Sequence, residues 1–329
     1  MAGHDIIVVG ASVGGVEATK SLLSQMPRDL DAAIFVVVHR AAAPPSILEK
    51  ILDRAGPLEA RAVQDREEIR HRRVYVAPSN HHLLVREGHV RVVRGPKENR
   101  WRLAIYPLFR SAAATYSSRV PGIVLTGMLD DGSVGLLTIK RCGGIAIVHE
   151  PEDALAPDMP LHALKNVDVD FQLPIAKMEA TLTKLVYETS AEAPEIPPYG
   201  KTEVNITTGA VNDITDYGED FGARSPFSCP DCGGPLWKLQ VDRIRRYPCL
   251  IGHAFTTRSL LEDQNEMLEQ SLWSAVRAME ERAHVLEILA NDERAMGNEE
   301  QAGIYDAQAA DSWWHARLIR DRLLRGEED

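Results

Sequence analysis

Three side chains in this sequence have the types and settings that nucleophilic catalysis requires. Ser12 stands in Gly10-Ala11-Ser12-Val13-Gly14-Gly15, directly after the apolar run Ile6–Val9. In a G-x-S-x-G turn the glycines permit a sharp strand-to-helix bend, which lifts the hydroxyl clear of a sheet edge beside a helix N-terminus. His39 follows the apolar run Ala33–Val38, and Asp130 and Asp131 follow Gly122–Leu125. Brought together, such groups divide the work. The imidazole takes the hydroxyl proton and returns it to the leaving group, and the carboxylate holds the imidazole tautomer and stabilises its protonated form. Backbone N–H groups near Val13–Gly15, or in the Gly127–Gly132 turn, are candidates for binding an oxyanion.

Each piece has another reading. A glycine turn between strand and helix also describes a nucleotide-binding βαβ unit. The dinucleotide fingerprint wants glycine where Ser12 stands, and an acidic residue after the second strand, where His39-Arg40 stands. A purely structural turn is a third reading. His149 also ends an apolar run, Ile145–Val148, so position alone does not single out His39. Asp131 can be a turn residue or the N-cap of a helix starting at Ser133. Ser12 reads as the nucleophile because all three groups fall at strand ends, where open parallel sheets build their sites.

The elements that must position them alternate in type. Strands are expected at Ile6–Val9, Ala33–Val38, Val74–Val76, Leu83–Val85, Val90–Val93, Gly122–Leu125 and Ile145–Val148. Helices are expected at Val16–Gln25, Pro45–Arg54, Pro107–Ser117, Ser133–Cys142 and Ile175–Tyr187. Continuous Val and Ile strands between helices predict a mostly parallel α/β sheet covered on both faces. The pair around Glu87-Gly88 reads as a hairpin, an antiparallel edge on that sheet.

The chain of 329 residues carries 44% apolar and 26% charged residues and a net charge of −11, which is globular and disfavours nucleic-acid binding. No apolar run approaches the roughly 18 residues of a spanning helix, and the start lacks the pattern of a signal peptide. Membrane insertion is not expected, and the expected compartment is the cytoplasm. Residues 188–222, acidic and proline-rich at first, read as a linker. Three of the four cysteines then cluster. Cys229-Pro230-Asp231-Cys232 places two thiolates on one tight turn, and Cys249 and His253 supply a second pair. A Cys3His set suits a structural zinc ion, and so small a module has little core without one. Cys142 reads as core. From Ser259 onward the apolar spacing is helical. It breaks at Met296-Gly297-Asn298, which predicts a helical hairpin with Trp313-Trp314 in its second arm, as hairpin core or as a docking patch.

Taken in order, Gly10–Gly15, Val38-His39 and Leu125-Thr126-Gly127-Met128-Leu129-Asp130-Asp131-Gly132 resemble the catalytic domain of the chemotaxis protein-glutamate methylesterases. Tyr75-Val76-Ala77-Pro78, His82–Val85, Pro107–Ala113, Ala154-Leu155 and Met159-Pro160 extend the likeness over about residues 5–187. The resemblance implies a doubly wound, Rossmann-like domain that hydrolyses glutamate methyl esters on chemoreceptors and in some members deamidates glutamine. It implies Ser12 as nucleophile, His39 as base and Asp131 as the acid, with the Met128 backbone, beside that of Val13, at the oxyanion. Three positions depart from the family pattern. Val13 replaces a threonine, Leu129 replaces a glycine, and Ile105-Tyr106-Pro107 stands where an aspartate is usual.

Archetypal members carry a phospho-acceptor receiver before the catalytic domain. Here the first catalytic strand begins near residue 5, so an esterase not gated by its own phosphorylation is expected. The expected organisation is a catalytic domain over 1–187, a linker over 188–222, a zinc ribbon over 223–258 and a helical hairpin over 259–329. The expected partners are a methylated receptor or another signalling protein, with a methyltransferase or a second copy as candidates for the tail. The alternative is an esterase fold kept as a scaffold in a signalling complex, a reading that Val13 and Leu129 motivate.

Overall fold

The computed structural model describes residues 3–40, 47–191 and 222–325. Its first two strands, β1 (Ile6–Ala11) and β2 (Ala33–Val38), are buried throughout and pair in parallel. Side chains alternate between sheet faces. Ile6, Val8, Phe35 and Val37 enter one core layer, and Ile7, Val9, Ile34 and Val36 the other. After β3 (Glu59–Ala62) and β4 (Arg73–Val76) come two hairpin strands, β5 (His82–Arg86) and β6 (His89–Val93). Then follow β7 (Pro121–Val124), β8 (Ile145–His149) and β9 (Phe171–Leu173). Seven of these form one parallel sheet in the order β3-β4-β2-β1-β7-β8-β9. The chain winds outward from β1 in both directions, so the switch point lies between β1 and β7, where such sheets open a crevice.

Helices α1 (Gly15–Ser24) and α2 (Leu48–Ala55) pack on the face that carries Ile7 and Val9. Helices α3 (Ile105–Tyr116), α4 (Ser133–Arg141) and α5 (Asp158–Asn166) pack on the other, and α6 (Ile175–Tyr187) returns to the first. This is the doubly wound arrangement expected. The expected helix start at Pro45 lies outside the described residues.

Three features differ from expectation. The hairpin β5–β6 is not an edge of the main sheet but a separate two-stranded sheet. Helix α3 covers it, with Ser111 Oγ accepting from the Val85 N–H at 3.0 Å and Thr115 Oγ1 donating to Val85 O at 3.1 Å. The true edges are β3, whose Glu-Ala-Arg-Ala sequence has no apolar pattern, and the three-residue β9. Helix α5 was not expected either, because Pro160 masks it. In the first turn of a helix, proline removes no needed hydrogen bond.

By its contacts the chain divides into one unit that runs to Leu260 and a second from Leu261. Of the expected linker, residues 192–221 lie outside the described residues. The first unit also contains a four-stranded antiparallel ribbon of β10 (Ala223–Ser228), β11 (Pro235–Val241), β12 (Ile244–Pro248) and β13 (Ala254–Thr256). Cys229, Leu236, Tyr247, Cys249, Phe255 and Leu260 form its own small core. Val241 and Ile244, at the tip of β11–β12, are part of the main domain's core instead. The second unit is built from α7 (Thr257–Ala295) and α8 (Glu299–Arg325), which bury Ala283 and Ala290 on one arm and Ala302, Ala309 and Ala316 on the other. The tryptophan pair splits. Trp313 donates from Nε1 to Glu287 Oε1 at 2.8 Å, across the hairpin, whereas Trp314 is 59% exposed.

Candidate active site

Ser12, His39 and Asp131 come together at the carboxyl ends of β1, β2 and β7. Ser12 follows β1 directly. Its N–H donates to Thr126 O at 2.9 Å, and its carbonyl accepts from the Gly15 N–H at 2.8 Å, closing the turn into α1. Gly14 takes φ +74°, the left-handed conformation that glycine adopts without strain. A side chain at Gly127 would place a Cβ 2.7 Å from that of Ser12, so only a bare backbone can pass there. His39 Nδ1 lies 3.2 Å from Ser12 Oγ, and His39 Nε2 lies 2.9 Å from Asp131 Oδ2. The side chains of His39 and Asp131 are only 3% and 4% exposed. With a proton on Nε2 donated to Asp131, the Nδ1 lone pair faces the serine hydroxyl. That is the arrangement a general base needs.

Asp131 sits where several donors converge. Burial opposes its ionisation. The hydrogen bond to His39, the Ile105 N–H at 2.7 Å and Asn99 Nδ2 at 2.9 Å outweigh that cost and hold its carboxyl below the usual carboxylate range. Ile105 opens α3, so the donated N–H is one that the helix itself leaves unpaired, at the positive end of the helix dipole. Asp131 is not the N-cap side chain of α4. Gly132 caps that helix, with no side-chain hydrogen bond. Neighbouring Asp130 turns away, accepts from Thr256 Oγ1 at 2.8 Å and is pushed up to about 6 by burial. His149 instead bonds Asp153 Oδ2 at 2.9 Å.

The backbone N–H groups of Val13 and Met128 donate to no acceptor among the described residues. Both side chains are exposed, Val13 at 46% and Met128 at 56%, so they frame an open apolar mouth beside Ser12.

A family model described as CheB methylesterase matches residues 7–182. The chain belongs to the CheB methylesterase family. A Leptospira interrogans relative named "Putative protein-glutamate methylesterase/protein-glutamine glutaminase" is 33% identical over 183 residues, covering 55% of this chain and 95% of the relative. A Methanosarcina acetivorans protein named "Protein-glutamate methylesterase/protein-glutamine glutaminase 2" is 33% identical over 191 residues, covering 56% of this chain and 54% of that one. The crystal structure of the Thermotoga maritima CheB methylesterase catalytic domain matches with a TM-score of 0.54 and 30% identity, over 56% of this chain and all of the other. The ribbon and the helical hairpin lie beyond the residues that the family model covers.

Within this CheB-type domain the departures have visible consequences. Leu129 takes φ +63°, a conformation that glycine adopts without strain and leucine does not. Tyr106 is buried between two guanidinium groups, Arg110 at 4.6 Å and Arg246 of β12 at 4.0 Å from its ring centre. Two neighbours of the site escaped sequence reasoning. Asn99 bonds Asp131, and Trp101 stacks on His39. They lie in the polar, aperiodic run Lys97–Arg102, and a tryptophan in such a run was the only signal.

In the ribbon, one potential ligand atom each of Cys229, Cys232, Cys249 and His253 lies within 4.8 Å of the others, close enough to hold one metal ion. Cys249 is drawn below the usual thiol range by its hydrogen bond with Cys229 and by His253, the direction that favours a metal ligand. Cys142 is buried in the main core, where burial pushes its thiol up to about 11.

Proposed function

We propose that this chain is a serine esterase that hydrolyses glutamate methyl esters on a protein substrate, with Ser12 as nucleophile, His39 as general base and Asp131 as the group that holds His39. The observation that carries this reading is the unbroken hydrogen-bonded chain Ser12–His39–Asp131 at three neighbouring strand ends. The names of its relatives, protein-glutamate methylesterase/protein-glutamine glutaminase, support the substrate class.

Chemically, His39 Nδ1 accepts the hydroxyl proton as Ser12 Oγ bonds to the ester carbonyl carbon. The carbonyl oxygen becomes an oxyanion, which the N–H groups of Val13 and Met128 are free to bind. As the intermediate collapses, the methoxy oxygen takes the proton from His39 and leaves as methanol. Water, deprotonated by the same imidazole, then releases the glutamate carboxylate from Ser12. A glutamine side chain would follow the same path with ammonia as leaving group. The apolar mouth at Val13 and Met128 favours a side chain presented on a macromolecular surface, such as a methylated receptor helix of a cytoplasmic signalling complex.

Zinc fits the ribbon set. The residues that would hold it are Cys229, Cys232, Cys249 and His253, a fully protein-ligated set of structural type. Bound there, it would supply folding free energy to the ribbon. The helical hairpin is the part of the chain suited to a second protein, a methyltransferase or another copy.

Ser12→Ala tests the reading on methylated chemoreceptor and on p-nitrophenyl acetate. Loss of hydrolysis by at least about a thousandfold, with unchanged melting, supports the nucleophile. Equal turnover by wild type and variant removes the esterase reading in favour of a scaffold.

A further inference from the structure

The segment Glu98–Trp101 touches two members of the candidate triad. Asn99 Nδ2 donates to Asp131 Oδ1 at 2.9 Å, and the Trp101 ring lies on His39 at 4.7 Å. Its backbone is strained. Asn99 and Arg100 take φ +47° and +74°, two consecutive non-glycine residues in the left-handed region. Such a conformation persists where its surroundings over-determine it.

Most of those surroundings belong to the ribbon and to the first turn of α7 that follows it. The Asn99 N–H donates to Ala254 O at 2.8 Å, and the Ala254 N–H donates to Lys97 O at 3.3 Å. Asn99 Oδ1 accepts from the Thr256 N–H at 3.1 Å and from Ser259 Oγ at 3.2 Å. Glu98 makes a buried ion pair with Arg110 at 2.8 Å and with Arg246 of β12 at 3.3 Å. Lys97 pairs with Asp231, between the first two cysteines, at 2.6 Å. Asn99, Thr256 and Ser259 are all buried.

This pattern fixes which way the Asn99 amide points. Two donors, the Thr256 N–H of β13 and the Ser259 hydroxyl of α7, face its oxygen, so its NH2 end is turned to Asp131, and a carboxylate accepts there. A turned amide would set oxygen against oxygen at Asp131 and leave the Thr256 N–H and the Ser259 hydroxyl facing an NH2 group. Resting on the reading of Ser12, His39 and Asp131 as a triad, we propose that Asn99 is a positioning residue for Asp131 and that the end of the cysteine ribbon, with the first turn of α7 that follows it, holds it in place through Thr256 and Ser259. The ribbon is then a working part of the esterase site.

The test uses the full chain and two readouts. The first, by NMR, is the water-exchange rate of the imidazole proton between His39 Nε2 and Asp131 Oδ2, identified by its loss in His39→Gln. The second is kcat and KM for p-nitrophenyl acetate. Asn99→Asp keeps an acceptor for Thr256 and Ser259 but sets a carboxylate against Asp131, and Ser259→Ala removes one of the two donors to Asn99. Proton exchange is expected to speed up at least tenfold in Asn99→Asp, and by a smaller factor in Ser259→Ala. For Asn99→Asp, kcat is expected to fall about tenfold to a hundredfold, the range for losing a hydrogen bond to a charged group, while KM stays within twofold. Wild-type exchange in both variants, with wild-type melting, overturns the proposal. If Asn99→Asp does not fold, the exchange rate in Ser259→Ala decides alone. Ser12→Ala keeps the two readings apart. It is expected to leave the proton unchanged and to abolish turnover. Wild-type turnover in it removes the esterase reading but does not touch the exchange result.

Discussion

Trp101 lies face to face with His39, the ring centres 4.7 Å apart and the planes 18° from parallel. The imidazole must point Nδ1 at Ser12 and Nε2 at Asp131 at once, which only one ring plane satisfies. The indole face fixes that plane, and under the proposed mechanism it also favours a positively charged His39. Stacked aromatic pairs are worth about 0.5–1.5 kcal/mol beyond their burial. Trp101→Ala is therefore expected to lower kcat roughly threefold to tenfold at nearly constant KM, and Trp101→Phe to recover most of it. Steady-state kinetics on a simple ester checks this, and an unchanged kcat in Trp101→Ala contradicts it.

Leu129 at φ +63° makes a second expectation specific. Leucine pays a steric cost in the left-handed region that glycine does not, but glycine adds entropy to the unfolded chain, and the two effects are of similar size. Leu129→Gly is expected to leave stability within about 0.5 kcal/mol of wild type. Leu129→Val adds a β-branch where it is least tolerated and is expected to cost about 1–2 kcal/mol. Urea denaturation of the two variants separates them.

The parallel sheet and the serine, histidine and aspartate were legible because each lies at the end of a continuous apolar run, a pattern that both fold and site require. Asn99 and Trp101 were not legible. Asn99 is placed by tertiary contact with Ala254, Thr256 and Ser259, more than 150 residues further along the chain, and Trp101 follows it in the same loop. No local period encodes a contact between a polar loop and a distant ribbon. The same holds for the edge strand β3, whose polar sequence becomes a strand only because β4 offers it hydrogen bonds. Val241 and Ile244 read as ribbon residues, yet they complete the main core.

The metal reading makes a composition prediction. Full-length protein is expected to carry one zinc equivalent, and Cys229→Ser with Cys232→Ser to lose it. Metal binding to such a set is itself folding free energy, so chelation is expected to lower the melting temperature. Elemental analysis beside a melting curve tests both statements, and metal-free protein with full stability counts against them.

Asp130 predicts a stability change with a definite sign. Burial raises its carboxyl to about 6 in the fold, against 3.8 in an ordinary setting. A raised carboxyl favours the fold while protonated, and that advantage is lost as pH rises from about 4 through 6. Asp130→Asn never ionises and keeps an oxygen for Thr256. It is expected to match wild type near pH 4 and to exceed its stability by on the order of 2 kcal/mol above pH 7. Denaturation at pH 4, 5.5 and 7.5 follows the gap as it opens.

Glu98 runs the other way, although it too is buried. Burial opposes its charge, but Arg110 and Arg246 outweigh that and bring it down to about 2 from 4.5. Its contribution is complete above pH 4.5 and is lost as pH falls toward 2. Glu98→Gln leaves two arginines in the interior without their carboxylate, and removal of one member of a buried pair costs about 3–5 kcal/mol. The variant is therefore expected to be several kcal/mol less stable at pH 7, with the gap closing below pH 4.5. Because Glu98 adjoins Asn99, its loss also loosens the strained segment, so kcat is expected to fall in Glu98→Gln under conditions where the protein remains folded. Equal stability of the two proteins at pH 7 would show that the arginines find other partners, and that the ribbon is held to the main domain by something other than this pair.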